Sequence, residues 1–132
     1  MEITDDKIIK IALITTMIGL MGIVIFAGEI NPKETIIKKI DRGMIDEEVV
    51  ITGNIEMVKK SSNGKSYILT LNDGSGKITI LIFESTITEF VENGINIENF
   101  KNNKVKVTGT ITEFKSTIEL ILHNSNSIKI EN

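Results

Sequence analysis

Residues 66–83 read SYILTLNDGSGKITILIF, and apolar side chains alternate with other residues on both sides of the central NDGSG. Alternation with a period of two is typical of a strand with one buried face. The NDGSG segment, residues 72–76, supplies side-chain acceptors and glycines that favour a tight turn. The stretch therefore predicts a β-hairpin whose core-facing residues are Leu69, Leu71, Ile78, Ile80 and Ile82.

Three further stretches show the same alternation. Residues 48–58 read EVVITGNIEMV, residues 104–114 read KVKVTGTITEF, and residues 116–122 read STIELIL. Gly53 and Gly109 interrupt two of these patterns, at positions where a coiled barrel strand often bends or bulges. Together with the hairpin, these stretches predict five strands.

A short helix is predicted over residues 85–93, between the third strand and the fourth. Its apolar residues recur at helical spacing, and they are Ile87, Phe90 and Val91. The fold class expected from these elements is mainly β, with a single helix inserted into a five-stranded sheet.

The order of these pieces resembles the OB-fold, a five-stranded Greek-key barrel with a short helix between strands three and four. Residues 69–83 are similar to the strand-turn-strand signature of the tRNA-anticodon-type OB-folds. VVITGNI at 49–55 and VKVTGTI at 105–111 are similar to the first and fourth strands of that group. The resemblance covers about 46–130, and we expect an OB-fold domain over 46–132.

An uncharged segment precedes this domain. Residues 11–28 contain no ionisable side chain, and eighteen helical residues span about 27 Å, close to the roughly 30 Å of a bilayer core. We therefore expect residues 1–30 to form a tail and a transmembrane anchor, with 8–28 in the membrane. A buried core helix and a cleaved signal peptide are the alternatives.

The orientation of such an anchor is left open by the sequence. Lys7 and Lys10 precede it, whereas the cations that follow it are Lys33, Lys38, Lys39 and Arg42. This count leans toward a cytoplasmic barrel in a single-pass membrane protein.

Residues 31–45 are expected to form a short amphipathic helix or linker. Asn31 would be its N-cap, Pro32 its first residue, and Glu34 would complete the cap. Its isoleucine face could cover one end of the barrel, or its cations could contact lipid headgroups.

Composition argues against catalysis and against metal. The chain has no cysteine, one histidine and a net charge of −3, so we expect no metal site, no cofactor and no enzymatic activity. In the anchored OB-fold haem chaperones a histidine is followed four residues later by tyrosine. Here His123 is followed at that spacing by Ser127, which does not match.

The resemblance implies a ligand surface made by strands two and three and by the loops joining strands one to two and four to five. The candidate phosphate contacts in the first loop are Lys59, Lys60, Asn63 and Lys65. The candidate stacking residues are Tyr67, Phe83 and Phe114, with Lys115 beside the last. Alternation also exposes Lys104 and Lys106 on the fourth strand.

The function predicted from these features is weak binding of single-stranded DNA or RNA by a membrane-anchored OB-fold. The alternative is an extracytoplasmic or membrane-assembly module that binds a protein partner and no nucleic acid. The lysines of the first loop could equally belong to a solvated turn, and Phe83 could pack under the helix.

Overall fold

The computed structural model describes residues 5–28 and 32–131, with side chains described over 7–18 and 32–131. The chain divides into two compact units, Met1–Asn31 and Pro32–Asn132. The predicted N-cap Asn31 lies outside the described residues.

The first unit contains helix α1, Asp5–Gly28. Within the described part of the chain, no helix is long and apolar enough to cross a membrane. The predicted membrane span over 8–28 is therefore not supported, and the element stands as an N-terminal helix.

The second unit is a β-barrel with one α-helix. Its elements are β1 (Lys33–Glu34), β2 (Glu48–Lys60), β3 (Ser66–Asn72), β4 (Lys77–Phe83), α2 (Glu84–Glu92), β5 (Lys104–Phe114), β6 (Thr117–Leu122) and β7 (Ile128–Ile130). The sheet order is β1-β2-β3-β4-β6-β5-β7, and an additional pairing of β2 with β5 closes the barrel. The five predicted strands are β2 to β6, and the helix predicted between the third and fourth of them is α2.

The core is formed by the inward positions of these strands. Leu69, Leu71, Ile80 and Ile82 are fully buried and Ile78 is nearly so, which confirms the inward register predicted from alternation. Further buried side chains come from β2, β5, β6 and the α2 region, and they are Val49, Ile51, Ile55, Val105, Val107, Ile111, Leu120, Leu122, Phe90 and Phe100. Phe90 and Phe100 meet edge to face, with ring centroids 6.1 Å apart.

Gly53 and Gly109 lie where a neighbouring strand comes too close for a side chain. A Cβ on Gly53 would lie 2.6 Å from the carbonyl oxygen of Asn72, and one on Gly109 would lie 2.7 Å from that of Ile121. Both glycines therefore allow backbones to approach at the points where the barrel coils. The bulge of β2 itself falls between Ile55 and Met57.

Of the two alternatives predicted for 31–45, an amphipathic helix or a linker, the helix is not formed over the described residues 32–45. The segment contains β1 and two 3₁₀ turns, Ile37–Lys39 and Arg42–Met44. The N–H of Thr35 donates to the carbonyl of Val50 at 3.0 Å, and the N–H of Ile37 donates to Asp73 Oδ2 at 2.8 Å. These bonds to the barrel hold the chain extended and outweigh the local helix signals.

The same segment covers one end of the barrel. Ile37 is buried in the core and Ile40 packs against it, while Ile36 stays 42% exposed. Single isoleucines of an extended segment with two 3₁₀ turns, and not one face of a helix, therefore cover this end of the barrel core.

Candidate functional site

The candidate ligand surface is the outward side of β3 and β4, called here the β3–β4 face. Its residues alternate with the buried ones and are Ile68, Thr70, Thr79, Leu81 and Phe83. Cross-strand pairing sets Ile68 opposite Leu81 and Thr70 opposite Thr79. The face is therefore a strip of apolar and hydroxyl side chains, most of them half-buried.

Phe83 is the aromatic residue of this face. It is 48% exposed and lies directly before α2, in register with Ser66. The helix therefore does not cover Phe83 completely, and about half of the side chain stays accessible to a stacking partner. By contrast, Tyr67 pairs with the buried Ile82 and packs against the core, so it lies at the end of the barrel and not on the face.

Lysines border the Phe83 end of the face. β2 continues through Lys60, so Lys59 and Lys60 are strand residues, and the loop predicted over 59–65 is shortened to 61–65. Lys59 pairs with Ile68 of the face. The Lys60 ammonium lies 5.8 Å from the centroid of the Tyr67 ring, a cation–π contact.

The loop after Lys60 is held by its own side chains. Asn63 Oδ1 accepts from the hydroxyl of Ser61 at 2.7 Å and from the backbone N–H of Lys65 at 3.0 Å. Gly64 adopts a φ of 72°, which a glycine tolerates without strain. The oxygen of Asn63 is thus used within the loop, which leaves the side-chain NH₂ group to contact a ligand.

The β5–β6 turn borders the opposite end of the face. Lys115 and Ser116 have φ of 48° and 65°, and Phe114 pairs with Thr117 across them, the geometry of a two-residue hairpin turn. Phe114 is 57% exposed, and the Lys115 ammonium lies 5.5 Å from its ring centroid. This turn presents an aromatic ring and a cation together.

A second cation near that end is already paired. Lys77 Nζ lies 2.9 Å from Glu56 Oε2, and the Asn72 amide donates to Glu56 Oε1 at 2.6 Å. The hydrogen bond from Asn72, followed by that from Lys77, lowers the pKa of Glu56 below its ordinary value. Lys77 is therefore engaged within the protein.

Lys104 and Lys106 lie on another part of the barrel. They pair with Asn54 and Thr52 of β2, and Lys106 Nζ lies 3.5 Å from Glu34 of β1. The sequence candidates thus form two groups: most of them surround the β3–β4 face, and these two lysines lie on the β2–β5 side, where the barrel closes.

Glu119 of β6 extends the face and was missed by the sequence reasoning. It pairs with Thr79 of β4 and with Thr112 of β5. Its Oε2 atom is buried and has no hydrogen-bond partner among the described residues. Burial raises the pKa of its carboxyl above the ordinary value. Alternation along 117–122 could have placed it on the face, but not revealed that it lacks a partner.

His123 has a structural partner. Its Nε2 lies 2.8 Å from the hydroxyl of Thr110. In the part of the chain that the structure describes, no three His, Asp or Glu side chains are grouped so that they could hold a metal ion.

These features define a small closed barrel with a half-buried candidate face that is bordered by lysine-bearing strand ends and turns. The profile of the family described as "OB-fold nucleic acid binding domain", of the tRNA anticodon type, matches residues 49–127. That is more than half of the chain, and the chain belongs to this family.

Solved structures show the same fold. The chain is similar to a chain of the crystal structure of the S. pombe Stn1–Ten1 complex, with 24% identity, a TM-score of 0.52, and 64% of this chain and 57% of that chain covered. It is similar to a putative aspartyl-tRNA synthetase from Leishmania major Friedlin, with 20% identity, a TM-score of 0.58, and coverage of 76% and 21%.

A third similar structure is the OBody AM1L10 bound to hen egg-white lysozyme, with 17% identity, a TM-score of 0.57, and coverage of 77% and 94%. At these identities the likeness concerns the fold alone. The chain spans just over half of the matched yeast chain and about a fifth of the synthetase. No curated protein matches the chain.

Proposed function

We propose that this domain binds single-stranded nucleic acid on the β3–β4 face, weakly and without catalysis. The observation that carries the proposal is the arrangement of that face: a half-exposed apolar strip with Phe83, lysines at one end, and the Phe114–Lys115 pair at the other. Membership of a nucleic-acid-binding family supports it. Bases can stack on exposed rings while mobile cations follow the phosphates.

The length of the face suits an extended strand. From the Ser66–Phe83 pair to the Asn72–Lys77 pair the hairpin advances six residues, or about 20 Å at 3.3 Å per residue. An unpaired strand lying along this distance would meet Phe83 near one end and Phe114 near the other. A rigid duplex cannot turn its bases toward these rings.

Charge argues that the affinity is low. From Met44 onward the chain has twelve Asp or Glu and nine Lys or Arg, so the domain repels a polyanion at long range. Attraction is local, from Lys59, Lys60, Lys65 and Lys115. With so few phosphate contacts we expect dissociation constants of about 10⁻⁶–10⁻⁴ M at physiological salt.

Fluorescence anisotropy with labelled DNA and RNA strands of about 15 nucleotides tests the proposal directly. At low salt we expect saturable binding to single strands and weaker binding to the matching duplex. Equal affinity for duplex and single strand would contradict recognition of unpaired bases. The absence of any binding at low salt would refute the function.

A second candidate function is binding of a protein partner beside α2. A groove of about 310 Å³ there is lined by Tyr67, Ile87 and Ile95 among others, and Val91 on its edge is 71% exposed. From Glu84 to Phe100 the chain has acidic residues and no basic ones, so a basic, apolar peptide would fit best. Substitution of Val91 by Asp would abolish such binding and leave binding of strands unchanged.

The cellular location of the chain stays a prediction from the sequence.

A further inference from the structure

One carboxyl oxygen of Glu119, Oε2, is buried beside the proposed strand-binding face and has no hydrogen-bond partner among the described residues. Pairing places it between Thr79 and Thr112 on neighbouring strands, and the side chain as a whole remains partly exposed. None of the ion pairs among the described residues includes it. A buried acceptor without a donor is destabilising, so a ligand that supplies a donor gains that free energy on binding.

A phosphate cannot be that ligand. An ionised carboxyl repels a phosphodiester, and three of the four lysines proposed to attract the phosphates, Lys59, Lys60 and Lys65, lie on β2 or in the loop that follows it, on the other side of β3. The backbone of a bound strand therefore follows Lys59 and the 61–65 loop, and its bases extend across β4 toward β6. Glu119 then meets the edge of a base and not the backbone.

We propose that Glu119 is a specificity-determining residue that accepts hydrogen bonds from a base and gives this face a preference for guanine over thymine or uracil. The proposal rests on the strand-binding function proposed above. Guanine presents two adjacent donors on its Watson–Crick edge, the ring N1–H and the 2-amino group, and the two carboxylate oxygens can accept both.

The other bases fit less well. Cytosine and adenine each present one amino group beside a ring acceptor. Thymine and uracil present a single N–H between two carbonyl oxygens, which repel a carboxylate. Because Oε2 is buried in the unliganded chain, the side chain must change rotamer to present both oxygens, and the staggered wells of its inner torsions allow this change. The burial that raises the pKa of Glu119 also strengthens any hydrogen bond made there.

The test compares thymidine strands of about ten nucleotides that carry one central guanine, one inosine, or neither. Inosine keeps the N1–H and lacks the 2-amino group. For the unaltered chain we expect the guanine strand to bind about tenfold more tightly than the thymidine strand, with inosine in between. This comparison needs no variant. Equal affinity for the three strands would overturn the proposal and leave the strand-binding function intact.

Two variants then locate the effect. Glu119→Gln keeps the size of the side chain but has only one acceptor oxygen, so the guanine preference should fall to about threefold or less, while binding of the thymidine strand persists. Glu98→Gln removes the same charge from the exposed Glu98 of the 3₁₀ turn Ile97–Phe100 and should keep the full preference. Thermal unfolding verifies that both variants fold. An unchanged guanine preference in Glu119→Gln would refute the assignment, as would failure of the unaltered chain to bind any strand.

Discussion

Replacing Lys59, Lys60 and Lys65 together by alanine should remove most of the salt dependence of strand binding. Lys59 pairs with Ile68 of the face, Lys60 lies over the Tyr67 ring, and Lys65 ends the loop between β2 and β3. None of the ion pairs among the described residues involves them, so their charges can meet phosphates. Each phosphate contact contributes about 0.7 to the slope of log K against log salt on single strands.

Loss of three contacts therefore lowers the slope by about 2. When the salt concentration rises fourfold, the factor by which the affinity falls should be about twenty times smaller for the variant than for the unaltered chain. The fold should be little affected, because the Lys60–Tyr67 contact contributes about 0.5–1 kcal/mol. Anisotropy titrations at several salt concentrations measure the slope, and thermal unfolding measures the stability.

A charge-matched control separates a local contact from a general loss of positive charge. Lys39, Lys101 and Lys129 are exposed and lie outside the β3–β4 face. Their triple replacement by alanine changes the net charge equally and should leave the slope almost unchanged. Equal slopes in the first variant and the unaltered chain would place the phosphate-binding surface elsewhere. Equal reductions of the salt slope in the two triple variants would indicate that the lysines act only by long-range attraction.

Three further variants test the stacking residue, the core and the turn. Phe83→Ala should weaken strand binding by about 1–3 kcal/mol with the salt slope unchanged, whereas a changed slope would mean that the ring does not stack. Ile80→Ala should lower the free energy of unfolding by about 2–5 kcal/mol, because this side chain is fully buried. A cost near zero in urea unfolding would contradict the inward register. Asp73→Asn should destabilise the chain by about 1–3 kcal/mol at neutral pH, because the carboxylate accepts from Ile37, Ser75 and Gly76. Burial acts to raise the pKa of Asp73, but the hydrogen bonds outweigh it and lower the pKa. Its stabilisation is therefore present above the unfolded-state pKa of about 3.9 and is lost as pH falls through the lower folded value. Thermal unfolding from neutral to strongly acidic pH should show this loss in the unaltered chain and not in Asp73→Asn, and identical pH profiles would refute the role.

The barrel was predictable because its signals are local and agree with one another. Alternation from Leu69 to Ile82 gave the register of the central hairpin, and Asp73 and Gly74 gave its turn. Gly53 was recognised as a position where the strand departs from regularity, although its physical reason, the approach of the Asn72 carbonyl, needs the folded neighbour.

The segment before the barrel was not predictable from local signals. Pro32 and Glu34 favour a helix start by themselves, yet the donors at Thr35 and Ile37 find acceptors in Val50 and Asp73, which are distant in sequence. Tertiary hydrogen bonds of this kind override a helix propensity that is small per residue.

The ligand site was predictable only in part. Phe83, Lys59 and the 61–65 loop follow from the strand pattern. The sequence could not show that Lys106 pairs with Glu34 on another side of the barrel, nor that Glu119 lacks a partner, because both depend on which strands become neighbours.

Titration of the isotope-labelled chain with an unlabelled single strand at low salt, followed residue by residue in amide NMR spectra, tests the location of the site most directly. We expect the largest shift changes along β3 and β4, at the 61–65 loop and at Lys115. Changes concentrated around Lys104 and Lys106, or beside Val91 on α2, would contradict the assignment of the β3–β4 face. A spectrum that does not change at any strand concentration would contradict nucleic-acid binding itself.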